Sequence, residues 1–260
     1  MVAVNYAAAV TIAGRDLPGT GAGPVHRALA AEVARLRDAG RGDPPRVLDV
    51  GGGSGAWAVP LAALGCAVTV VDASPNALAA LVRRAREAGV EELVTPVQGD
   101  VDALAEVAAA GGAELVLGHG LLEVVDHAPV AVAALAAAAA PGGAVSVLVA
   151  GRYAAVLHRA LAGRLAEARA LLTDPDGRLG PDDALRRRLD AAGLRALLEQ
   201  GGLRVELLRG DGVLEGWVPG SVHDAVPPAA GTLVELEELA VAAEPLREVA
   251  TRLHALARNP

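Results

Sequence analysis

The chain has 260 residues and a net charge of −8, and 53% of it is hydrophobic while only 2% is aromatic. That length allows one large α/β domain or two small ones, with a core of Ala, Val and Leu because Phe is absent. The acidic balance argues against non-specific nucleic-acid binding, which calls for a basic surface, but leaves room for a local basic patch.

Residues 1–15 are weakly patterned and lack the positive region of a signal peptide. Residues 17–24 are a loop by composition. Pro24 suits a helical first turn, and Val25, Leu29, Val33 and Leu36 then recur at helical spacing until Gly40. Arg46-Val47-Leu48-Asp49-Val50 predicts a buried parallel strand, which breaks into Gly51-Gly52-Gly53-Ser54-Gly55 and restarts as a helix over 56–64. A doubly wound sheet builds a nucleotide site in this way at a strand's carboxyl end. Glycine lets the ligand lie against bare backbone, and the helix start turns N–H groups toward it. A phosphate-cradling P-loop would need a lysine, and the chain has none. Gly53, Gly55 and Ala58 meet a dinucleotide fingerprint only in its loosest form. Asp49, Gly51, Gly53 and Gly55 fit a third form, Asp-x-Gly-x-Gly-x-Gly.

Cys66 opens the second strand, 67–71. As the single cysteine it excludes an intrachain disulfide and fits a cytoplasmic setting. Asp72 ends that strand about 20 residues past the glycine turn, where a carboxylate meets ribose hydroxyls; the plainer alternative is a solvated strand end. Ser74 as N-cap and Pro75 at the first position start a helix that runs to about Ala88. The third strand, 93–97, belongs near an edge because Pro96 cannot donate to a ladder. Gly99-Asp100-Val101-Asp102 follows. The fourth strand, 114–117, delivers Gly118-His119-Gly120 beside the first. The uncharged stretch 128–151 is interrupted by Pro141-Gly142-Gly143, so it reads as a buried helix and a fifth strand, 144–149, rather than a membrane span. Beyond it the pattern predicts helices over 153–172 and 185–200, a sixth strand over 203–208, a loop-rich stretch 210–228 holding Trp217 and His223, and a helix over 233–243. The tail 252–258 suits either a helix or a final antiparallel strand. No Cys/His spacing suits a metal ion, and none is expected.

Asp49 to Gly55, Asp72, Gly99-Asp100 and Pro141-Gly142-Gly143 together resemble the class I S-adenosylmethionine (SAM)-dependent methyltransferases over nearly the whole chain. A closer resemblance, to the tRNA carboxymethoxyuridine methyltransferase family, runs through Asn5-Tyr6, Gly19-Thr20, the triple glycine, His119 with Leu121 to Asp126, Leu157-His158-Arg159 and Leu233 to Glu237. That family methylates the carboxylate of a modified wobble uridine in tRNA. The resemblance implies SAM as cofactor, with Asp49, Gly51, Gly52, Gly53 and Gly55 at its methionine end, Asp72 at the ribose, Asp100 and Val101 near the adenine, and His119 as a further contact. The family's amino-terminal arginine falls at His26, with Arg27 beside it. The implied fold is a Rossmann-like seven-stranded, mostly parallel sheet of order 3-2-1-4-5-7-6, with helices on both faces and helical lid additions. One domain is expected: a helical cap (1–45), a SAM-binding core (46–150), an acceptor-side insertion with strand six (151–230), and a last helix and strand (231–260).

In such an enzyme SAM brings an activated methyl group, and the protein supplies alignment and electrostatics. A carboxylate acceptor needs no general base. A hydroxyl or amine acceptor would, and His119 is the candidate, its alternatives being a cofactor contact or a loop cap. Arg152, Arg159, Arg164 and Arg186 to Arg188 either bind phosphate or carboxylate or form solvated helix faces. Tyr153 and Trp217 either stack on an acceptor or pack a lid. The candidate acceptor contacts are therefore Tyr153, Arg152 and Arg159. The expected partner is a methyl acceptor, either tRNA or a small molecule, with no membrane; oligomeric state is left open. The competing readings are a small-molecule or natural-product O- or N-methyltransferase and a SAM-binding protein without turnover. A nicotinamide dehydrogenase is disfavoured by Asp49 ahead of the glycines and by Pro141-Gly142-Gly143.

Overall fold

A computed structural model describes residues 23–40, 43–218 and 229–260. Asn5-Tyr6, Gly19-Thr20 and His223 lie outside them.

The strands are β1 (Arg46–Val50), β2 (Ala67–Asp72), β3 (Val94–Gln98), β4 (Ala113–His119), β5 (Ala139–Ala150), β6 (Arg204–Asp211) and β7 (Arg252–Arg258). They form one sheet of order β3-β2-β1-β4-β5-β7-β6, the order expected. Neighbours from β3 to β5 pair in parallel, and β7 runs antiparallel between β5 and β6. The ambiguous tail is thus a strand, paired on both sides. Pro96 sits on the edge strand β3, where a missing donor costs no ladder bond.

Alternate residues of the strands feed two apolar layers. On one face, helices α1 (Pro24–Asp38), α2 (Ala58–Ala63) and α3 (Pro75–Glu87) pack Leu36, Leu61 and Leu81 onto Val47, Leu115 and Leu117. On the other, α4 (Leu104–Val107), α5 (Ala128–Ala138) and α8 (Ala191–Gln200) pack Leu104, Leu135 and Leu194 onto Leu48, Val116 and Val147. With almost no aromatic side chains, each layer is filled by interlocking aliphatic ones.

Four boundaries differ from expectation. Strand β5 begins at Ala139, because Pro141-Gly142-Gly143 is carried as a bulge: Ala113 pairs Ala139 and Leu115 pairs Ala144. Asn259 pins the bulge by accepting from the Gly142 N–H (2.8 Å) and donating to the Gly143 carbonyl (3.0 Å). The first crossover helix starts at Ala58 rather than 56, since the glycine turn extends to Trp57. The helix expected over 153–172 is two, α6 (Arg152–Leu161) and α7 (Leu165–Thr173), broken at Gly163. The helix expected from 185 starts only at Ala191, where the Asp190 carboxylate accepts from the Gly193 N–H (2.7 Å). The residues before it cannot coil because their N–H groups are spent elsewhere. Arg186 donates to the Glu123 carbonyl (2.7 Å), Arg188 to that of Asp176 (2.8 Å) and Leu189 to that of Ala150 (3.2 Å). Past β6, helices α9 (Ala229–Ala242) and α10 (Glu244–Arg247) lead back to β7.

Helix α1 is stitched across the sheet by a buried charge. The Glu32 carboxylate accepts from Arg35 (2.7 Å) and from Arg258 at the end of β7 (2.7 Å), and Arg258 also reaches Glu206 of β6 (2.7 Å). Burial alone would raise the Glu32 pKa, but the hydrogen bonds from the two arginines outweigh it and the group is held below its ordinary value. A lowered carboxyl contributes stability above its unfolded value that is lost as pH falls through the folded one. Glu32→Gln is expected to cost about 3 kcal/mol in urea unfolding at pH 7, by leaving Arg258 short of a charge partner. The deficit should shrink toward pH 3; a constant deficit would assign the effect to packing.

Candidate functional site

The carboxyl ends of β1, β2 and β4 surround the glycine turn. Asp49, the penultimate residue of β1, pairs in register with Val70 and Leu117 and shares their face of the sheet. Its side chain is 1% exposed, and neither carboxyl oxygen has a hydrogen-bond partner. Gly52 lies directly over it: an added Cβ would fall 2.5 Å from Asp49 Cγ and 2.8 Å from Val70 Cγ1. The Gly51 N–H closes the β1–β2 ladder on the Val71 carbonyl (2.7 Å), and Gly51 and Gly53 then adopt positive φ (72° and 56°), which turns the chain tightly. The Gly53 N–H donates to Asp72 Oδ2 (2.8 Å) and the Ser74 N–H to Asp72 Oδ1 (2.8 Å). Asp72 is therefore fixed across the turn from Asp49, and each of its oxygens keeps further accepting capacity. Ser74 caps α3 as expected, accepting from the Ala77 N–H. Gly55 packs against Leu81 of α3.

Asp100 and Val101 follow β3, the neighbour of β2. The Asp100 carboxylate accepts from the Asp102 N–H (3.1 Å), and the Val101 side chain is buried in the core.

His26 and His119 both pack against Trp57. The His26 and Trp57 rings lie 4.3 Å apart, and Trp57 and His119 pack edge to face at 4.6 Å. His119 Nε2 is 2.8 Å from Ser146 Oγ, which is 2.8 Å from His254 Nε2. Burial first, then the positive fields of His254, Arg252 and His26, push the His119 pKa well below its ordinary value, so the ring is neutral at pH 7. Neither Ser146 nor His254 stood out in the sequence. Ser146 is the one polar side chain of β5, His254 sits between aliphatic residues of β7, and only the strand order brings them beside His119.

The acceptor-side candidates have defined partners. Tyr153 donates to the Asp190 carboxylate (3.3 Å). Arg152 donates to the carbonyls of Leu171, Leu172, Asp174 and Pro175. Arg159 pairs with Glu167 (3.2 Å) and Arg186 with Asp126 (3.1 Å). Arg187 donates to the carbonyls of Leu122, Val125 and Asp126, and Arg188 binds Asp183 (2.6 Å) and the Gly177 carbonyl (2.8 Å). Trp217 stacks on His158 at 4.2 Å and donates to the Val249 carbonyl (3.2 Å). Glu123 is buried and accepts from the Ala150 N–H (2.9 Å). Among the described residues there is no cluster of metal-ligating side chains, and no helix is long and apolar enough to cross a membrane.

A protein-family model described as a methyltransferase domain matches residues 23–206. A search of the curated proteins finds no match. Three solved structures of similar fold are a magnesium protoporphyrin IX methyltransferase from Synechocystis with bound S-adenosylhomocysteine (SAH), a geranyl diphosphate C-methyltransferase from Streptomyces coelicolor and a SAM-dependent methyltransferase from Methanosarcina mazei. The first is 15% identical with a TM-score of 0.55, covering 97% of this chain and 95% of that one. The second is 15% identical with a TM-score of 0.57, covering 89% and 77%. The third is 14% identical with a TM-score of 0.56, covering 84% and 93%.

Burial, and secondarily the charge of Asp72, push the Asp49 carboxyl up from 3.8 to about 7. A raised carboxyl contributes stability that is fully present below its unfolded value and lost as pH rises through the folded one. Asp49→Asn, which cannot ionise, is therefore expected to raise the unfolding free energy by about 3 kcal/mol at pH 8 and to change it little at pH 4. Urea titrations at the two pH values check this; an equal shift at both would contradict a buried ionisable group.

Proposed function

We propose a small-molecule acceptor for this chain, which belongs to the methyltransferase domain family and takes SAM as its methyl donor. The glycine turn fits that cofactor. Its backbone is bare where a ligand would lie, and the carboxyl group of Asp49 below it lacks any partner inside the protein. The methionine end of SAM carries an ammonium and a sulfonium beside its carboxylate, and the ammonium is the charge that would complement Asp49. Asp72 would take the ribose hydroxyls on the lone pairs left over from Gly53 and Ser74, and Asp100 and Val101 would border the adenine. Gly51 to Gly55 would line the methionine end, with His26, Trp57 and His119 forming the neighbouring wall.

SAM supplies a methyl group already activated on sulfur, so the protein's task is alignment and exclusion of water. His119 is held neutral, which leaves one ring nitrogen to accept either a hydrogen bond from the cofactor or the proton of a hydroxyl or amine acceptor, one role excluding the other.

The observation that carries the small-molecule reading is the use made of the arginines after β5. Arg152, Arg159, Arg186, Arg187 and Arg188 are spent on backbone carbonyls and carboxylates that bind this segment to itself and to the turn after β4. Phosphate-backbone recognition needs guanidinium groups presented outward. The neighbour named for geranyl diphosphate and the one named for magnesium protoporphyrin IX accord with a small acceptor. The second reading, methylation of a wobble-uridine carboxylate in tRNA, has the motif resemblance around His119 and Leu121 to Asp126 in its favour.

Two measurements test this. Methyl-labelled SAM is incubated with the protein and either a small-molecule extract or total tRNA carrying the unmethylated precursor. Label is expected in the extract, and label in a tRNA nucleoside would overturn the small-molecule reading. Asp72→Ala is expected to weaken SAH binding by at least roughly tenfold, through loss of charge-assisted hydrogen bonds; unchanged affinity would remove Asp72 from the site.

A further inference from the structure

A line of polar side chains crosses the aliphatic sheet on one face. Asp49, Leu117, Ser146 and Leu256 share one rung of the ladder, and His119, Leu148, His254 and Arg209 share the next toward the strands' carboxyl ends for β4 and β5. Ser146 is fully buried and His254 is 2% exposed. Both bond through the serine hydroxyl, His119 Nε2 at 2.8 Å on one side and His254 Nε2 at 2.8 Å on the other. His119 Nδ1, by contrast, is buried without a partner.

Proton counting restricts this chain. The serine hydroxyl carries one hydrogen, so it can donate to only one of the two rings and must accept from the other. Neutral imidazole carries one N–H, so the two histidines hold opposite tautomers. In one arrangement His119 accepts at Nε2 and buries an unpaired Nδ1–H. In the other, His119 donates its Nε2–H to Ser146, Ser146 donates to His254, and the unpaired Nδ1 is a lone pair. An orphaned buried N–H is the rarer and costlier state, which selects the second arrangement.

We propose that Ser146 and His254 are positioning residues that hold His119 as its Nε2–H tautomer, so that Nδ1 stands as a hydrogen-bond acceptor toward an N–H or O–H group of the bound cofactor. This rests on the SAM reading and adds to it the two side chains, on β5 and β7, that set how His119 meets the ligand. The arrangement also explains why two polar residues occupy adjacent aliphatic strands on successive rungs of one face: each satisfies the other, and the polarity ends on His119. No charge crosses the core, because all three groups are neutral in this pattern.

Long-range 15N–1H spectra of the histidine rings of the full chain test the assignment, together with calorimetric binding of SAH. In the wild type His119 should show the Nε2–H pattern and His254 the Nδ1–H pattern, and SAH should shift the His119 Nδ1 resonance. Ser146→Ala should mix the His119 tautomers and weaken SAH binding about five-fold, the worth of one hydrogen bond. His254→Gln, whose terminal amide can still accept from Ser146, should retain most of the affinity. Reversed or identical tautomers in the wild type overturn the proposal, as does a folded Ser146→Ala with unchanged His119 tautomer and unchanged affinity. Where Ser146→Ala fails to fold, the wild-type spectrum and His254→Gln decide. Failure of the wild type to bind SAH at all would sink the cofactor reading itself, whichever tautomers are found.

Discussion

A carboxyl group without a partner, sealed beneath a glycine turn, is the constraint on which the site depends. Asp49 lies at the carboxyl end of a central strand, where the sheet is covered on both faces and water cannot reach it. Burying an unpaired carboxylate is costly, and the protein meets part of that cost by pushing the group toward its neutral form. A cationic ligand in the turn above would offset the rest. Gly52 is held to the same constraint, since any side chain there would collide with Asp49 and Val70.

Around that point the fold spends its polar groups sparingly. The Asp72 carboxylate ties the turn to the start of α3, and the Glu32–Arg258 pair ties α1, which carries His26, to the last strand. The segment between β5 and α8 is built the other way, from irregular backbone clamped by arginine. Arg152 gathers the end of α7 and the turn after it, Arg187 gathers the turn after β4, and Arg188 closes on Asp183 inside the fold. These side chains trade exposed charge for order in a loop-rich region. The stacked His158 and Trp217 rings add an aromatic contact to the same region.

Much of this was legible in the sequence, and the reasons differ by element. The parallel strands announce themselves as short aliphatic runs, and Asp49, the glycines, Asp72 and the Ser74-Pro75 cap carry their meaning in local spacing, so the strands and helices of the amino-terminal half were readable from the residues themselves, whereas the strand order came from the family resemblance those motifs carry. The region after β5 was less readable. Alanine, leucine and arginine are good helix formers, so 153–172 and 185–200 look like continuous helices. The first breaks locally, where Gly163 takes a positive φ, but the late start of the second is non-local: the Glu123 and Ala150 carbonyls capture N–H groups that a helix would have used. The polar line of Ser146 and His254 was hidden for the same reason, because their partner lies on another strand and only the 4-5-7 adjacency brings them together.

The most direct test of the account is SAH binding to the wild type, measured by calorimetry at pH 7 in two buffers of different ionisation enthalpy. If Asp49 gives up its proton to meet the ammonium group that SAH shares with SAM, saturable binding should release a fraction of a proton per site, and the buffer dependence should vanish in Asp49→Asn. Binding without proton release would place that ammonium away from Asp49, and absence of saturable binding would contradict the assignment of the glycine turn to SAM.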